Sequence, residues 1–277
     1  MFELPECVTL ARQMNEMIQG KVIERGQLGN SPHKFVWYNR THEEFEALTA
    51  GKVLGEASAR GRWIFVPLEP EYVLVLGECG GKVLYHPAES KVPRKYHLYL
   101  TFEDGSFLTA TTQMWGAMEL YEQGAEHERQ YIRDMRPTPA DEEFTFDYFS
   151  TLIDDLLQGK KRTAKSLLTQ DQLIPGLGNA IAQDILFHAR LHPKLPLTSL
   201  SADERRQLYQ AILGTVREIT EKGGRYDEFD LHGNRGGYVR LMDGKAADAP
   251  CPVCGTMVRK GSYLGGSIYT CAGCQRL

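Results

Sequence analysis

The chain has 277 residues, 42% of them hydrophobic and 25% charged, enough for two domains and too ordinary a composition for disorder or a fibrous repeat. No apolar run approaches the roughly 18 residues that span a bilayer. Glu3 and Glu6 stand where a signal peptide needs basic residues, so a cytoplasmic chain that avoids the membrane is expected. The formal net charge of −4 argues against a nucleic-acid partner at first sight, but the charge is unevenly placed. Residues 251–277 carry Arg259, Lys260 and Arg276 and no acid. Residues 159–194 carry Lys160, Lys161, Arg162, Lys165, Arg190 and Lys194 against two aspartates. The remainder is therefore at −11. Because fields decay within about 10 Å at 0.1 M salt, local sign outweighs the total.

In chain order, residues 5–19 predict a helix, with Cys7, Leu10, Ala11, Met14, Met17 and Ile18 on one stripe. From about 34 to 121 the pattern changes to short alternating or apolar runs (35–38, 62–68, 72–78, 82–86, 96–102 and 106–111). Turn material such as Gly80-Gly81 and Asp104-Gly105 separates them, which favours an antiparallel sandwich or barrel. Residues 136–143, RPTPADEE, read as a linker. Helical periods follow, through Phe149–Leu157, Ala164–Thr169, a helix from about Asn179, and a fourth opened by the capping-box pair Ser201 and Glu204. Residues 225–250 show no period and read as a long loop.

Four of the six cysteines close the chain as Cys251-x2-Cys254, sixteen residues, then Cys271-x2-Cys274. Two such knuckles complete a tetrahedral sulfur shell for one structural Zn²⁺, with disulfides as the alternative. The segment between them suits a β-hairpin turning at Gly265-Gly266. Upstream, LIPGLGN (173–179) leads into AIAQDILFHARLHP. A glycine turn before a helix leaves backbone N–H groups free for a phosphate, with Asn179 as the expected N-cap; a plain helical packing turn is the commoner explanation.

The opening MFELPE, the LIPGLGN block and the four-cysteine hairpin occur in one order along essentially the whole chain. Together they resemble the formamidopyrimidine-DNA glycosylase / endonuclease VIII family. The resemblance implies an α+β multidomain fold: an N-terminal antiparallel β-sandwich with a flanking helix (1–135), a helix–two-turn–helix domain (136–245) and a terminal zinc β-hairpin (246–277). It implies a base-excision DNA repair enzyme, an N-glycosyl hydrolase, that flips a damaged base out of double-stranded DNA or acts at an abasic site. One structural zinc ion, a monomeric state and a cytoplasmic, nucleoid-associated location go with it.

Residue by residue, the family's proline nucleophile is replaced by Phe2. The strand-cleaving lyase step then depends on a substitute amine, either on Met1, one residue out of register, or on a lysine. Glu3 matches the family's general acid/base and Glu6 its acidic neighbour, although both also suit the start of a helix. Arg62 stands for a DNA-contacting lysine, Glu78 for an inserting methionine, and Gln113-Met114-Trp115 for the arginine-rich wedge, with Trp115 or Met114 as the intercalator. Lys165 and Asn179 match phosphate contacts, whereas Gly266 replaces a phosphate-gripping arginine. Loop 225–245, with His232 and Arg235, stands where the family places a lesion-covering loop, and a solvated loop is the simpler expectation. Two further readings compete: a non-catalytic zinc-containing module that recognises damaged or distorted DNA, and a zinc protein whose hairpin makes protein contacts.

Overall fold

The strands of the β-rich region form because their residues alternate between two apolar environments. In the computed structural model, which describes residues 1–31, 33–159 and 161–277 (Lys160, counted above, lies outside them), the chain divides into two compact units. The first is Met1–Met135 with Ile219–Tyr238; the second is Arg136–Glu218 with Val239–Leu277.

In the first unit the elements run α1 (Leu4–Met17), β1 (Ile23–Leu28), β2 (Val36–Trp37), α2 (His42–Thr49), β3 (Val53–Leu54), β4 (Ser58–Arg60), β5 (Trp63–Glu69) and β6 (Tyr72–Gly77). They continue with β7 (Gly81–His86), β8 (Leu98–Phe102), β9 (Phe107–Thr112), β10 (Gly116–Glu122) and the single turn α3 (Gln130–Arg133). One sheet has the order β1-β8-β9-β7; the other has β2-β10-β6-β5-β3, with β4 paired to β5. All pairings are antiparallel except β10 with β2.

Ile64, Val66 and Leu68 of β5 and Leu74 and Leu76 of β6 face a core shared with Val83, Leu98, Leu100 and Leu108 of the other sheet. The intervening Trp63, Val73 and Val75 face a second cluster with Ile132. That period of two is the sandwich. Helix α1 adds Cys7, Leu10, Ala11 and Met14 to the shared core.

Six expected strands are present within two residues at either end. Among the elements that the sequence pattern does not predict are three with weak signals. Strand β1, IERGQL, is polar and interrupted by Gly26. Helix α2 is only eight residues long and held by a Thr41–Glu44 capping box. Strand β10 follows directly on the wedge-like segment.

The second unit holds α4 (Phe146–Leu157), α5 (Ala164–Thr169), α6 (Asn179–His188), most of α7 (Ala202–Glu221) and the hairpin β11 (Arg259–Tyr263) and β12 (Gly266–Thr270). Ser201 and Glu204 form the expected reciprocal cap of α7, at 2.9 and 3.2 Å. Two local expectations are corrected. Gly178, not Asn179, is the N-cap of α6, because the Asn179 side chain is drawn away to the hairpin. The hairpin turns at Leu264-Gly265, both with positive φ, so Gly266 begins β12. No helix is long and apolar enough to cross a membrane among the described residues.

His97 at the start of β8 shows how the sandwich edge responds to pH. Its Nδ1 accepts the Thr112 N–H at 2.9 Å, and burial, helped by His33 and Lys95, pushes its pKa down to about 4. The unfolded imidazole titrates near 6.5. The contribution of a neutral His97 to stability is therefore complete above about pH 6.5 and drains as pH falls toward 4. An NMR titration of the His97 ring should have its midpoint near 4; a midpoint at the unfolded value would contradict the burial argument.

Candidate active site and metal centre

The start of the chain is built around buried charge. Phe2 is 1% exposed and belongs to the sandwich core, and its backbone N–H donates to the Cys79 carbonyl at 3.0 Å. The nitrogen that the resemblance matches to the family's nucleophile is thus a hydrogen-bonded peptide nitrogen. The free amine is one residue earlier. Met1 is partly exposed, and its ammonium lies 2.8 Å from Glu228 Oε1.

Helix α1 begins at Leu4, with Pro5 in its first turn and Glu3 as N-cap. Glu6 accepts the Glu3 N–H at 2.9 Å, satisfying one of the donors that a helix start leaves open. Both carboxylates are buried, and Arg225 accounts for their charge. Its N–H and Nε donate to Glu6 Oε1 at 3.0 and 2.9 Å, and its Nη2 donates to Glu6 Oε2 at 2.9 Å. The same Nη2 donates to the Met1 carbonyl at 2.9 Å. Glu3 lies 3.7 Å and Glu228 3.5 Å from the guanidinium. Burial opposes the charge on Arg225, but Glu6 and then Glu3 outweigh it and raise its pKa above the usual value. Gly224, at φ 106°, lies so close to Glu6 that a Cβ there would stand 3.3 Å from Glu6 Cγ; the backbone bend that aims Arg225 inward requires glycine.

Arg62 belongs to the same neighbourhood. It pairs with Glu78 at 3.1 Å, donates to the Met1 sulfur at 3.6 Å, and feels the charge of Glu3 after that of Glu78. Gly80 lies against Met1 and accepts the Gln113 N–H at 3.1 Å. Met1, Glu3, Glu6, Arg62 and Gln113 are thereby brought together within the first unit. Met114 and Trp115 are on the exposed turn that follows, 59% and 41% accessible.

In the second unit, Lys165 and Asn179 meet the hairpin. Lys165 Nζ, 1% exposed as a residue, donates to the Tyr263 carbonyl at 2.6 Å, and burial lowers its pKa. Asn179 Nδ2 and Gln183 Nε2 donate to the Ser267 carbonyl at 3.3 and 3.1 Å. A Cβ at Gly266 would stand 3.0 Å from Asn179 Oδ1, so glycine at this position leaves room for the contact.

The four cysteine sulfurs lie within 4.8 Å of one another. Cys251 and Cys274 are 3.8 Å apart and Cys254 and Cys271 3.3 Å; all are free thiols. A tetrahedral site with metal–sulfur bonds of about 2.3 Å has edges of about 3.8 Å. The donor set therefore fits a metal ion, and its closed shell fits a structural role.

Sequence reasoning missed Arg225 and Glu228. Both lie in a stretch without period, and their partners are more than 200 positions away.

Two family models match the chain: the formamidopyrimidine-DNA glycosylase N-terminal domain over residues 1–118 and the formamidopyrimidine-DNA glycosylase H2TH domain over 135–229. A formamidopyrimidine-DNA glycosylase of Bacillus cereus is 28% identical over 99% of this chain and 98% of its own. That of Shouchella clausii is 29% identical over the same shares. The Thermus thermophilus MutM (Fpg) structure superposes with a TM-score of 0.81 at 26% identity, over 99% of this chain and 98% of that one. Lactococcus lactis Fpg in complex with abasic-site DNA gives 0.85 at 21% identity, over 99% and 100%.

Replacing Arg225 by Met should strand the buried Glu6 without the guanidinium that pairs with both of its oxygens. Removing one partner of a buried ion pair costs about 3–5 kcal/mol, so urea denaturation should show a loss of that order. A loss within about 0.5 kcal/mol, the usual range for surface substitutions, would show that the cluster is not buried.

Proposed function

Because the chain belongs to the formamidopyrimidine-DNA glycosylase family, we propose that it is a base-excision DNA repair protein acting on double-stranded DNA that carries a damaged base or an abasic site, with chemistry altered by Phe2. The observation that carries this reading is the Met1 amine, exposed yet fixed at both ends of its residue by Glu228 and Arg225, in one charge cluster with Glu3. Titanic field strengths are not needed: an amine held in place gains effective concentration against a bound aldehyde.

In the ring-opened abasic sugar, C1′ is an aldehyde. Glu228 takes a proton from the Met1 ammonium; the freed nitrogen adds its lone pair to that carbon, the carbonyl π pair moves onto the oxygen, and the proton that the nitrogen then sheds passes to this oxygen to give the carbinolamine hydroxyl. Loss of water from the carbinolamine gives an imine, which activates the adjacent C–H for strand cleavage. Glu3 serves as the general acid/base that protonates the sugar oxygen or activates water for direct hydrolysis of the glycosyl bond. Glu6 acts by positioning Arg225. Lys165, Asn179, Arg62, Gln113, Met114 and Trp115 are the proposed DNA-contacting set. Arg62 can reach a phosphate once it exchanges its pairing with Glu78.

The four cysteines hold one structural Zn²⁺. The ion supplies folding free energy to a hairpin that has little core of its own, and through Tyr263 and Ser267 it fixes the partners of Lys165 and Asn179. Metal analysis of the purified protein should give one zinc per chain. Chelation should melt the hairpin and weaken DNA binding; a protein that retains its fold and affinity without metal would refute this assignment.

A non-catalytic, damage-recognising module is the second reading. It is favoured by the pairing of Glu3, Glu6 and Glu228 with one arginine. Borohydride trapping on abasic DNA separates the two. The catalytic reading expects a covalent adduct that disappears when the Met1 amine is acetylated, or free base released from a lesion panel and lost in Glu3→Gln with binding retained. Neither adduct nor base release from wild-type protein, with intact mass proving Met1 present, leaves only the binding module.

A further inference from the structure

The N-terminal unit exposes a group of aromatic rings of which only Trp115 belongs to the DNA-contacting set proposed above. Phe35, Trp37 and Trp115 are 45%, 44% and 41% accessible. The two indoles stack with centroids 5.2 Å apart and planes within 9°, and Phe35 lies 4.7 Å from Trp115 at 47°. Single exposed apolar side chains need no explanation, but a cluster of this kind marks a binding surface.

The cluster is rigidly mounted. Phe35 and Trp37 flank Val36, whose side chain packs inward on the core, so strand alternation turns both rings outward. Strand β2 pairs in parallel with β10, Gly116 opposite Val36 and Ala117 opposite Trp37. Gly116 N–H donates to the Phe35 carbonyl at 3.0 Å, which ties the Trp115 turn to this strand. Asn39 brackets Leu120 through both of its backbone groups, at 3.0 and 2.8 Å.

A third segment completes the surface. Residues 91–97 are held by Asn30, which donates to the Arg94 carbonyl at 3.1 Å and accepts the Tyr96 N–H at 3.1 Å. Tyr38 Oη donates to the His97 carbonyl at 2.9 Å. Residues 30–40 and 91–97 contain Lys34, Arg40, Lys91, Arg94 and Lys95 and no acidic residue. Lys34, Lys91, Arg94 and Lys95 are exposed. This is a local excess of positive charge in a unit drawn from the acidic part of the sequence.

The geometry points to a stacking shelf for unpaired nucleobases, with the flanking lysines and Arg94 on the phosphates of the same strand. The chemistry selects the ligand. An aromatic shelf needs a free π-face, and bases within an intact duplex have their faces covered by their neighbours. A strand that is single, or locally melted, offers such faces and a polyanionic backbone together. The inference rests on the reading that this protein engages DNA, and names the state of the strand that it grips beside the lesion.

Fluorescence anisotropy with the full-length protein tests it, using a single strand, a duplex containing an unpaired bubble, a fully paired duplex and a duplex with one abasic site. Wild-type protein should bind the bubble about tenfold tighter than the paired duplex, quench its tryptophan fluorescence on doing so, and lose affinity steeply between about 50 and 200 mM salt. Trp37→Ala and Phe35→Ala should each weaken bubble and single-strand binding about tenfold and leave paired and abasic duplex binding unchanged; Trp37→Tyr should restore it. Abasic-duplex binding without a bubble preference, or variants that leave bubble affinity unchanged, overturns the shelf and leaves the repair reading standing. No affinity for any of the four DNAs overturns both. Self-association that Trp37→Ala abolishes would assign the rings to a second copy of this chain and overturn the nucleobase assignment.

Discussion

Everything at the N-terminal end hangs on one buried guanidinium. Arg225 is 2% exposed, and a charge so thoroughly removed from water is tolerable only with ion partners and full hydrogen bonding. Glu6 meets the first condition through both oxygens, and the Met1 carbonyl helps meet the second. The constraint runs in both directions. Arg225 fixes Met1 by its carbonyl, and Glu228 fixes its amine. In turn, α1 depends on Glu6 for its first turn. The terminal amine, the helix cap and the segment around residue 225 therefore form one electrostatic object.

That arrangement changes what Phe2 means. Phe2 is well placed as a packing residue, buried in the sandwich core with its amide donating to the Cys79 carbonyl. Arg62 and Glu78 tell the same story. The family resemblance sets each against a different residue, and the two meet in an ion pair at 3.1 Å, so their charges are compensated within the unit. Decay without constraint would be expected to leave some substituted charges buried without partners.

What could be read from sequence was whatever is encoded within a few residues. The cysteine knuckles were legible because metal-ligand chemistry demands fixed short spacings, and the long strands because their side chains alternate between two apolar clusters. The α7 cap was legible as a pair three residues apart. Strand β1 was not, because its sequence is polar and its place is set by pairing with β8. Asn179 was expected to cap α6, but its side chain answers to Ser267, 88 positions away. The Arg225 cluster is the extreme case, with partners 219 and 224 positions apart. Short-range patterns carry no trace of such a contact.

The second unit repeats the principle with neutral carbonyl acceptors in place of carboxylates. Lys165 and Asn179, which the family resemblance assigns to phosphates, here donate to carbonyls of the two hairpin strands, at Tyr263 and Ser267. A carbonyl is a weaker acceptor than a phosphate oxygen, since charge-assisted hydrogen bonds are roughly twice as strong. These contacts can therefore hold the hairpin in register while leaving both side chains able to exchange to an anion. Gly266 is what allows the close approach on the asparagine side; an arginine there would add a positive charge but press its Cβ on Asn179. The basic balance of residues 251–277 is thus carried by Arg259, Lys260 and Arg276 alone. Arg276 pairs with Glu204 at 2.7 Å and Arg259 lies 3.9 Å from Asp248, so two of these three charges already meet a carboxylate within the unit.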